Sequence, residues 1–407
     1  MPTPAVPRLS ATLVVVRQGP GGLELLLLRR ADKGDQNSGA WVFPGGLVET
    51  SDRHCHPACA GLDDAQASAR LGVQHGGLDF FVAAIRECFE EAGLLFAVDR
   101  RDRLVDLKSD AGARLAGQRG PLHGGERQFA DLCHDFGLRL AADQLFYIGH
   151  WVTPLGLPKR FDTRFFLAVL PEGQASMHDE IETLDHVWLR PATALAPENS
   201  RRLLRVTRSV IETVGGFADT EALLAWARSP RDVPMVMQRR CLASEGPRSI
   251  MPDHPAFAEV SRLDPHGDCT AWCELRPGVG VRLSPRVLRV TSAASHNSYL
   301  VGSVSGEWAV INAGSADDQH IEALTVAASG PLKRSLSVQD GASLALGADT
   351  TIRVIGGDTA AHGACYLLVE EKTLFTGIMD PALARHLLAP DAVHWIAPAQ
   401  GFLLATS

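Results

Sequence analysis

This sequence of 407 residues lacks the features that mark several common protein classes. It has no basic excess, since 39 lysines and arginines face 47 acidic residues, for a net charge of -8. Proteins that coat nucleic acids or bind anionic membrane surfaces favour basic patches, so the composition argues against both. No apolar run approaches the roughly 18 residues of a membrane-spanning helix. The sequence therefore predicts no nucleic-acid partner and no membrane association.

Cysteine is also scarce, with 8 residues scattered over the chain rather than in the dense spacing of a secreted disulfide framework. Only a short apolar segment, at 11–16, follows the proline-rich start, which is too short for the core of an export signal. A reduced, cytoplasmic location is expected. The 45% of apolar and 21% of charged residues are typical of a folded globular protein, and the length indicates two or three domains.

Hydrophobic patterning in the first part of the chain indicates a mixed α/β fold. Apolar runs at 11–16 and 23–28 flank a turn of glycine and proline, which predicts a β-hairpin. Residues 79–92 have helical spacing, with Asp79 as the expected N-cap and Gly93 as the C-cap. Further strands and helices are predicted at 145–152, 164–170, 202–214 and 220–228.

These elements define three segments. An α/β layered domain is assigned to residues 1–230, and residues 53–78 are interpreted as an inserted loop because they show no clear period. Residues 231–269 are richer in proline, glycine and arginine, and are expected to form a connector. Short apolar runs then return, which predicts a β-rich second domain over residues 270–407.

The most informative stretch runs from Arg86 to Leu94 and contains three glutamates. Glu87, Glu90 and Glu91 stand at i, i+3 and i+4, so their carboxylates share one helix face. They lie near the C-terminal end of the helix, where the helix dipole disfavours negative charge. A divalent cation would offset both penalties, and Mg²⁺ or Mn²⁺ suits oxygen ligands best. The alternative is a solvated acidic helix face.

A glycine pair upstream changes the balance between these alternatives. Gly45 and Gly46 offer backbone carbonyls that a metal or phosphate could approach without obstruction. With the helix, they resemble the Nudix box, whose pattern is Gly-x5-Glu-x7-Arg-Glu-U-x-Glu-Glu-x-Gly-U, with U an aliphatic residue. The sequence departs from this pattern in three ways. Asp52 replaces the first glutamate, Cys88 occupies an aliphatic position, and 33 residues instead of 7 separate Asp52 from Arg86.

The resemblance implies a Nudix α/β/α sandwich that hydrolyses a diphosphate with Mg²⁺ or Mn²⁺. The split box and the stretches 151–154 and 159–166 resemble the acyl-coenzyme A diphosphatase branch, over about residues 8–260. That branch implies cleavage of coenzyme A or acyl-coenzyme A to 3′,5′-ADP and (acyl-)4′-phosphopantetheine. Two alternatives stay open: the same chemistry on NADH or ADP-ribose, and a ligand sensor that does not turn over.

The resemblance also implies roles for individual residues. The metal ligands would be Glu87, Glu90, Glu91 and the carbonyl of Gly46 or its neighbour Gly45. Arg86 would orient a glutamate through a charge-assisted hydrogen bond. One of the clustered carboxylates, or a more distant acid such as Glu180 or Glu182, would take the proton from the attacking water. The expected phosphate ligands are Arg29, Arg30, Lys159, Arg160 and Arg164.

The second domain resembles the αββα metallo-β-lactamase fold through the stretches 295–302, 309–314, 320–324 and 374–377. The metal site of that fold needs a His-x-His-x-Asp-His motif and further histidines and aspartate. Here Thr359 stands near one histidine position, Ile378 stands where the aspartate belongs, and Gln400 replaces the last histidine. No zinc is therefore expected in this domain. The second domain is therefore expected to stabilise the protein, to gate access of the substrate, or to pair two chains into a homodimer.

Overall fold

The computed structural model describes residues 4–32, 37–179, 181–302, 306–312, 318–328, 332–333, 341–355, 364–377, 379–384 and 392–406. The chain divides into two compact units. The first consists of Val6–Thr153 and Lys159–Val236, and the second is built mainly from the chain after Val236, together with Pro154–Pro158. The expected boundary at residue 230 therefore lies a few residues too early. Within the described part of the chain, no helix combines the length and the apolar character needed to cross a membrane.

A mixed β-sheet forms the centre of the first unit. The strands of this unit are β1 (Arg8–Gly19), β2 (Gly22–Arg30), β3 (Trp41–Val42), β4 (Gly45–Leu47), β5 (Ala97–Val98), β6 (Arg139–Leu140), β7 (Phe146–Val152), β8 (Phe161–Val169), β9 (Thr183–Leu189) and β10 (Met235–Met237). Neighbouring strands follow the order β7-β8-β1-β2-β3, with β4 paired to β1 and β9 paired to β2. β1 and β8 run parallel, whereas β1 and β2 form the predicted antiparallel hairpin.

Helices cover both faces of this sheet. They are α1 (Asp64–Leu71), α2 (Gly77–Ala92), α3 (Asp110–Ala116), α4 (Arg119–His123), α5 (Phe129–Phe136), α6 (Pro191–Leu195), α7 (Arg205–Val214) and α8 (Thr220–Arg228), with 3₁₀ helices at Thr50–Ala58 and Ala142–Gln144. Alternation along β1 separates two cores, because successive side chains of a strand point to opposite faces. Leu13 and Val15 belong to the core around α2, while Val14 and Val16 belong to the core formed with α7 and α8. This arrangement is an α/β/α layering.

Helix α2 is the central helix of the first unit. Its N-cap is Gly76, three residues before the expected Asp79. Asp79 lies instead in the first turn, where its Oδ1 is 2.7 Å from His56 Nε2. Its predicted end is correct, with Gly93 in the left-handed conformation at φ 68°. All of its residues except Glu87 are buried, so the alternative of a solvated acidic face is wrong.

The insertion at 53–78 was expected to be a loop, and the structure shows it to be largely helical. The 3₁₀ helix Thr50–Ala58 opens it and α1 follows. Asp63 and Gln66 form a capping box that starts α1, and Gly72 ends it at φ 65°. These elements are too short to show a hydrophobic period. Because α1 packs on the N-terminal end of α2, it lies about 20 Å along the helix axis from Glu90.

The expected connector at 231–269 also contains regular structure. β11 (Arg239–Ala243) and β12 (Gly246–Ile250) form a hairpin, and α9 (Phe257–Leu263) follows it. Cys241, Ile250 and Val260 form a small buried core in the second unit. Each strand has only five residues, and the proline and arginines within them obscured the alternation in the sequence.

Two further sheets make up most of the second unit. Their strands are β13 (Gly280–Ser284), β14 (Val287–Thr291), β15 (Asn297–Gly302), β16 (Trp308–Ile311) and β17 (Leu332–Lys333) in one sheet, and β18 (Ser343–Leu346), β19 (Thr350–Ile355), β20 (Cys365–Leu368), β21 (Thr373–Gly377), β22 (Trp395–Pro398) and β23 (Leu404–Ala405) in the other. Tyr299 and Ile311 of the first sheet share a core with Ile352 and Phe375 of the second.

Helix α10 (Asp318–Ala327) packs on the outer face of the first sheet, where Leu324 meets Val290. A short helix, α11 (Pro381–Ala384), follows β21. The expected metallo-β-lactamase-like assignment of this unit stays a prediction. Its substituted ligand positions Thr359 and Ile378 lie outside the described residues.

We predict that the close packing of α1 on α2 depends on Gly77. A Cβ at this position would lie 2.3 Å from the backbone nitrogen of Ser68. Gly77→Ala should therefore lower the free energy of unfolding by about 1–3 kcal/mol, as overpacking does elsewhere. The control is Gly120→Ala, where the added Cβ meets no described atom within 4 Å. Urea denaturation of both variants measures the difference, and equal stabilities would contradict the docking of α1.

Candidate functional site

The guanidinium of Arg86 organises the candidate site. Its Nε donates to Asp52 Oδ1 at 2.8 Å, and its Nη2 donates to Asp52 Oδ2 at 3.2 Å and to the Leu47 carbonyl at 2.8 Å. Its Nη1 donates to Glu87 Oε1 at 2.9 Å and to Glu90 Oε2 at 3.5 Å. These five contacts engage every nitrogen of a side chain that is only 5% exposed.

Asp52 holds the other side of this ion pair. The carboxylate is 1% exposed, and its Oδ2 also accepts the Glu49 N–H at 2.8 Å in the first turn of the 3₁₀ helix. Burial raises the pKa of Asp52 above its usual value, and the Arg86 guanidinium counteracts this effect. Although 33 residues separate Asp52 from Arg86 in the sequence, the chain folds back so that the two halves of the motif meet.

The three glutamates of α2 meet at high negative charge density. Burial is the main cause that raises the pKa of Glu87, and it raises the pKa of Glu90 to about 7. The pKa of Glu91 rises well above its usual value because of its burial and then because of the neighbouring Glu87 charge. Arg86 supplies one positive charge beside these acids, and Arg30 supplies another near Glu91. The three glutamates therefore outnumber the nearby positive charges.

Strand β4 brings the glycine pair against these carboxylates. The Gly45 N–H donates to Glu91 Oε2 at 2.9 Å. A Cβ on Gly46 would lie 2.3 Å from Glu87 Oε1, so only a glycine leaves room for that carboxylate. Pairing of Gly46 with Ala11 of β1 fixes the position of β4 in the sheet.

The turn before β9 places Glu182 beside the cluster, and Asp179 holds this turn together. Although burial raises the pKa of Asp179, hydrogen bonds from Thr183 and from the backbone lower it overall. Asp179 Oδ1 accepts Thr183 Oγ1 at 2.7 Å and the Thr183 N–H at 2.8 Å, which closes the turn. Glu182 lies within this turn, and its charge contributes to the raised pKa of Glu87 and Glu91. The other expected acid, Glu180, lies outside the described residues.

Arg119 ties the same turn to the end of α2. Its Nη2 donates to the carbonyls of Glu90 and Met177, both at 2.9 Å. The Met177 N–H donates to the Ala92 carbonyl at 2.8 Å, and Thr183 Oγ1 lies 3.3 Å from the Glu91 carbonyl. Carbonyls at the C-terminal end of a helix have no partners within the helix, so these contacts satisfy them.

The structure separates the expected phosphate ligands. Arg30 lies close enough to Glu91 for its charge to lower the pKa of that carboxyl, opposing the larger effect of burial. Arg29 is the next residue along β2, and it is exposed. Because side chains alternate along a strand, Arg29 and Arg30 point to opposite faces of the sheet. Lys159 is exposed as well.

Arg160 and Arg164 are buried and serve other contacts. Arg160 is only 7% exposed, and its Nε donates to the Thr153 carbonyl at 3.0 Å. Arg164 pairs with Asp162 and lies over the Phe80 ring, with its Cζ 5.5 Å from the ring centroid. Both arginines therefore already have partners within the first unit, and their expected phosphate role stays a prediction.

Sequence reasoning did not identify Asp179 or Arg119 as parts of the site. Aspartate often forms turns by accepting the backbone N–H two residues on, as Asp179 does from Ile181, and this preference could have indicated the first. Arg119 carries no such signal, because it lies 26 residues beyond the helix end that it caps. It was also not foreseen that His178, Asp185 and His186 come together.

Comparison with known proteins agrees with the motif. Residues 7–114 match the family model of the NUDIX domain, and residues 62–204 match that of the NUDT19 Nudix domain. The N-terminal half of the chain therefore contains a Nudix domain. Among solved structures, a NUDIX hydrolase from Alicyclobacillus acidocaldarius has a TM-score of 0.45 and 26% identity, over 54% of this chain and 96% of that chain.

Curated relatives include the acyl-coenzyme A diphosphatase NUDT19 of Xenopus laevis, which is 27% identical over 212 residues, or 44% of this chain and 56% of the relative. The protein of the same name from Homo sapiens is 29% identical over 205 residues, or 42% of this chain and 55% of the relative. The chain thus spans about half the length of the curated relatives it matches. The domain models and these relatives support the expected enzyme class, a Nudix pyrophosphohydrolase.

The raised pKa of Glu90 predicts how stability without metal depends on pH. Between its usual pKa of 4.5 and the folded value of about 7, the unfolded chain releases a proton that the folded protein retains. The contribution of Glu90 is therefore complete below pH 4.5 and is lost as the pH rises to about 7.

We expect the wild type in chelator to lose about 1–3 kcal/mol more unfolding free energy than Glu90→Gln between about pH 5 and 8. Urea denaturation across this range measures both profiles, and comparison with the variant removes the contribution of the histidines. Parallel profiles would show that Glu90 ionises freely in the folded protein.

Proposed function

We propose that this protein hydrolyses the diphosphate of coenzyme A or acyl-coenzyme A to 3′,5′-ADP and (acyl-)4′-phosphopantetheine, using a divalent metal. The observation that carries this proposal is the group of three glutamates beside the Gly45–Gly46 backbone, in which Arg86 bonds Glu87 and Glu90 and the Gly45 N–H bonds Glu91. A pure binding protein gains nothing from keeping three repelling acids in this position. The arrangement therefore favours an enzyme over the alternative of a ligand sensor.

The residues of the cluster fit a bound Mg²⁺ or Mn²⁺. Burial is the largest cause of the raised pKa values of Glu87, Glu90 and Glu91, and the charges of neighbouring acids raise them further, so a bound cation would favour the ionised carboxylates. The available donors are carboxylate and carbonyl oxygens, which are the ligands that Mg²⁺ and Mn²⁺ prefer. Glu87, Glu90, Glu91 and a carbonyl of Gly46 would hold the ion. When bound, it would neutralise the diphosphate and polarise the attacked phosphorus.

Arg86 acts as a positioning residue in this proposal. Because its guanidinium is fixed by Asp52 and by the Leu47 carbonyl, it holds the carboxylate of Glu87 in one orientation. A lysine would offer a single ammonium group and lose the two-pronged contact with Asp52. Arg86 therefore orders the acids without touching substrate.

Glu182 is the proposed general base. It lies within electrostatic reach of Glu87 and Glu91 and is partly exposed, so water can reach it. The hydrogen bonds of Asp179 to the Thr183 side chain and backbone hold the turn in place around it. Its carboxylate would accept the proton from the water that attacks the diphosphate. Arg30, beside Glu91, is the proposed phosphate ligand, and exposed Lys159 remains a second candidate.

Support for the coenzyme A branch comes from the split motif and from the curated relatives, which are named acyl-coenzyme A diphosphatase. The alternative is the same chemistry on NADH or ADP-ribose, since the glutamate cluster recognises a diphosphate rather than its substituents. A phosphopantetheine product distinguishes the two, because only a coenzyme A-type substrate contains that group.

The second unit enters this proposal as a metallo-β-lactamase-like domain without its own metal. We infer a supporting role for it, through stability, substrate gating or pairing into a homodimer. A small-molecule substrate, a cytoplasmic location, and the absence of nucleic-acid and membrane partners complete the proposal. The acidic net charge of -8 argues against nucleic-acid and anionic membrane partners.

We expect Glu91→Gln to reduce turnover by about a thousandfold or more while the fold is retained, because Glu91 is buried in the cluster and bonds the glycine backbone. The control is Glu221→Gln, which removes an exposed carboxylate from α8. Mass spectrometry would follow the products from coenzyme A, acyl-coenzyme A, NADH and ADP-ribose with Mg²⁺ or Mn²⁺.

Phosphopantetheine from the wild type and from Glu221→Gln, but not from Glu91→Gln, is the expected result. AMP from NADH or ADP-ribose alone would keep the Nudix chemistry and reject coenzyme A. No product from any substrate would favour the sensor, and full activity of Glu91→Gln would refute the role of the cluster.

Gly46→Ala tests separately whether the position of the Glu87 carboxylate against Gly46 matters for catalysis. The added methyl group would displace the Glu87 carboxylate, which is the flexible end of its side chain, so the fold should tolerate the change. We expect kcat to fall about tenfold to a hundredfold, with a loss of less than about 1 kcal/mol in stability. Gly21→Ala, whose Cβ meets no atom closer than 3.5 Å, is the control. A similar kcat for the two variants would argue against a catalytic need for this position of the Glu87 carboxylate.

A further inference from the structure

Two histidines and an aspartate meet beside the turn that precedes β9. His178 Nδ1 lies 3.0 Å from His186 Nδ1, and the two rings are 5.3 Å apart between centroids. One potential ligand atom from each of His178, Asp185 and His186 lies within 4.8 Å of the others.

We propose that His178, Asp185 and His186 form a binding site for a transition metal ion of the Zn²⁺ type, separate from the glutamate cluster. Two imidazole nitrogens at about 2.05 Å from a tetrahedral Zn²⁺ are about 3.3 Å apart. The observed separation of 3.0 Å therefore needs only a small adjustment of the two rings. No backbone rearrangement is required to bring both nitrogens to one ion.

The donor set decides which ions the site takes. Imidazole nitrogen suits Zn²⁺, Cu²⁺, Ni²⁺ and Co²⁺, whereas Mg²⁺ prefers oxygen ligands and keeps its water shell. The two proposed metal sites of this unit therefore differ in chemistry. The glutamates of α2 offer only oxygen, while this site offers two nitrogens and one carboxylate.

Solvent access allows an ion to enter and to keep an open coordination position. Asp185 is exposed, and both histidines are partly exposed. A site with three protein ligands leaves the fourth position of a tetrahedral ion to water or to a small ligand. The structure thus indicates an exchangeable ion rather than one enclosed by protein.

The position of the site connects it to the glutamate cluster. His186 lies three residues along β9 from Thr183, or about 10 Å, and Thr183 Oγ1 lies 3.3 Å from the Glu91 carbonyl. His178 directly follows Met177, whose N–H and carbonyl bond the Ala92 carbonyl and Arg119. An ion that joins His178 to His186 would fix both ends of the turn that contains Glu182.

A change in catalytic rate on metal binding follows from this connection. That consequence rests on the proposed function, because it requires Glu182 to act in hydrolysis. Binding of the ion itself does not depend on the proposed function, since it needs only the side chains of His178, Asp185 and His186.

Cobalt binding to the full chain tests the site without any assay of activity. Co²⁺ would be titrated into the wild type in the presence of excess Mg²⁺, which occupies the glutamates, and followed by visible d–d absorption. We expect one Co²⁺ per chain, displaced by Zn²⁺, with affinity lowered about 100-fold in His178→Asn and in His186→Asn. His134→Asn, which changes a side chain 90% exposed on α5, should bind Co²⁺ like the wild type.

Glu91→Gln separates the two proposed sites. It should retain the Co²⁺ spectrum, because its carboxylate is not a ligand of the second site. Unchanged Co²⁺ affinity in both histidine variants, or loss of the spectrum in Glu91→Gln alone, would overturn the proposal. Thermal unfolding of the metal-free histidine variants serves as the check that they fold. A wild type that binds Co²⁺ but hydrolyses no substrate would refute the proposed function and leave this site standing.

Discussion

The contact between Arg86 and Asp52 is the constraint on which the rest of the site depends. A buried guanidinium is tolerated only if its donors are satisfied, and here three carboxylates and one carbonyl satisfy them. Because Asp52 fixes one edge of the guanidinium, the other edge can point at Glu87 and Glu90. Removal of either partner would leave a buried charge without compensation, so the two residues are required together. The geometry of the acids follows from this single ion pair.

The C-terminal end of α2 is held in a second, independent way. Gly93 ends the helix, and Arg119 and the Met177 N–H then bond carbonyls that this ending leaves free. These contacts join the helix, the Asp179–Thr183 turn and β9 into one structural group. The helix therefore receives Arg86 contacts on one side and the turn on the other, with the glutamates between them. Rigid support of this kind is what a precisely positioned group of carboxylates requires.

Much of the fold and the centre of the site could be predicted from the sequence, for identifiable reasons. The hairpin was visible because β1 and β2 are long and their turn contains strong turn residues. The end of α2 was visible because Gly93 is a clear stop signal, and the glutamates were visible because their spacing places them on one face. Helix α1 and the hairpin of β11 and β12 were missed, since elements of five to eight residues carry little periodic signal. The burial of Arg160 and Arg164 was not predicted, because a charged residue in a sequence does not reveal whether it is buried. Contacts such as that of Arg119 depend on tertiary packing, which no local pattern encodes.

The folded insertion between Asp52 and Arg86 has a consequence for how such proteins diversify. The entropic cost of closing a flexible loop grows only with the logarithm of its length, so lengthening this one from 7 to 33 residues adds about 1.4 kcal/mol. Helix α1 contributes its own packing on α2, which offsets that cost. The spacing between the two halves of the motif is therefore free to drift over generations, provided that Asp52 still reaches Arg86. A new surface can be added at this point of the chain while the chemistry beside it is inherited unchanged.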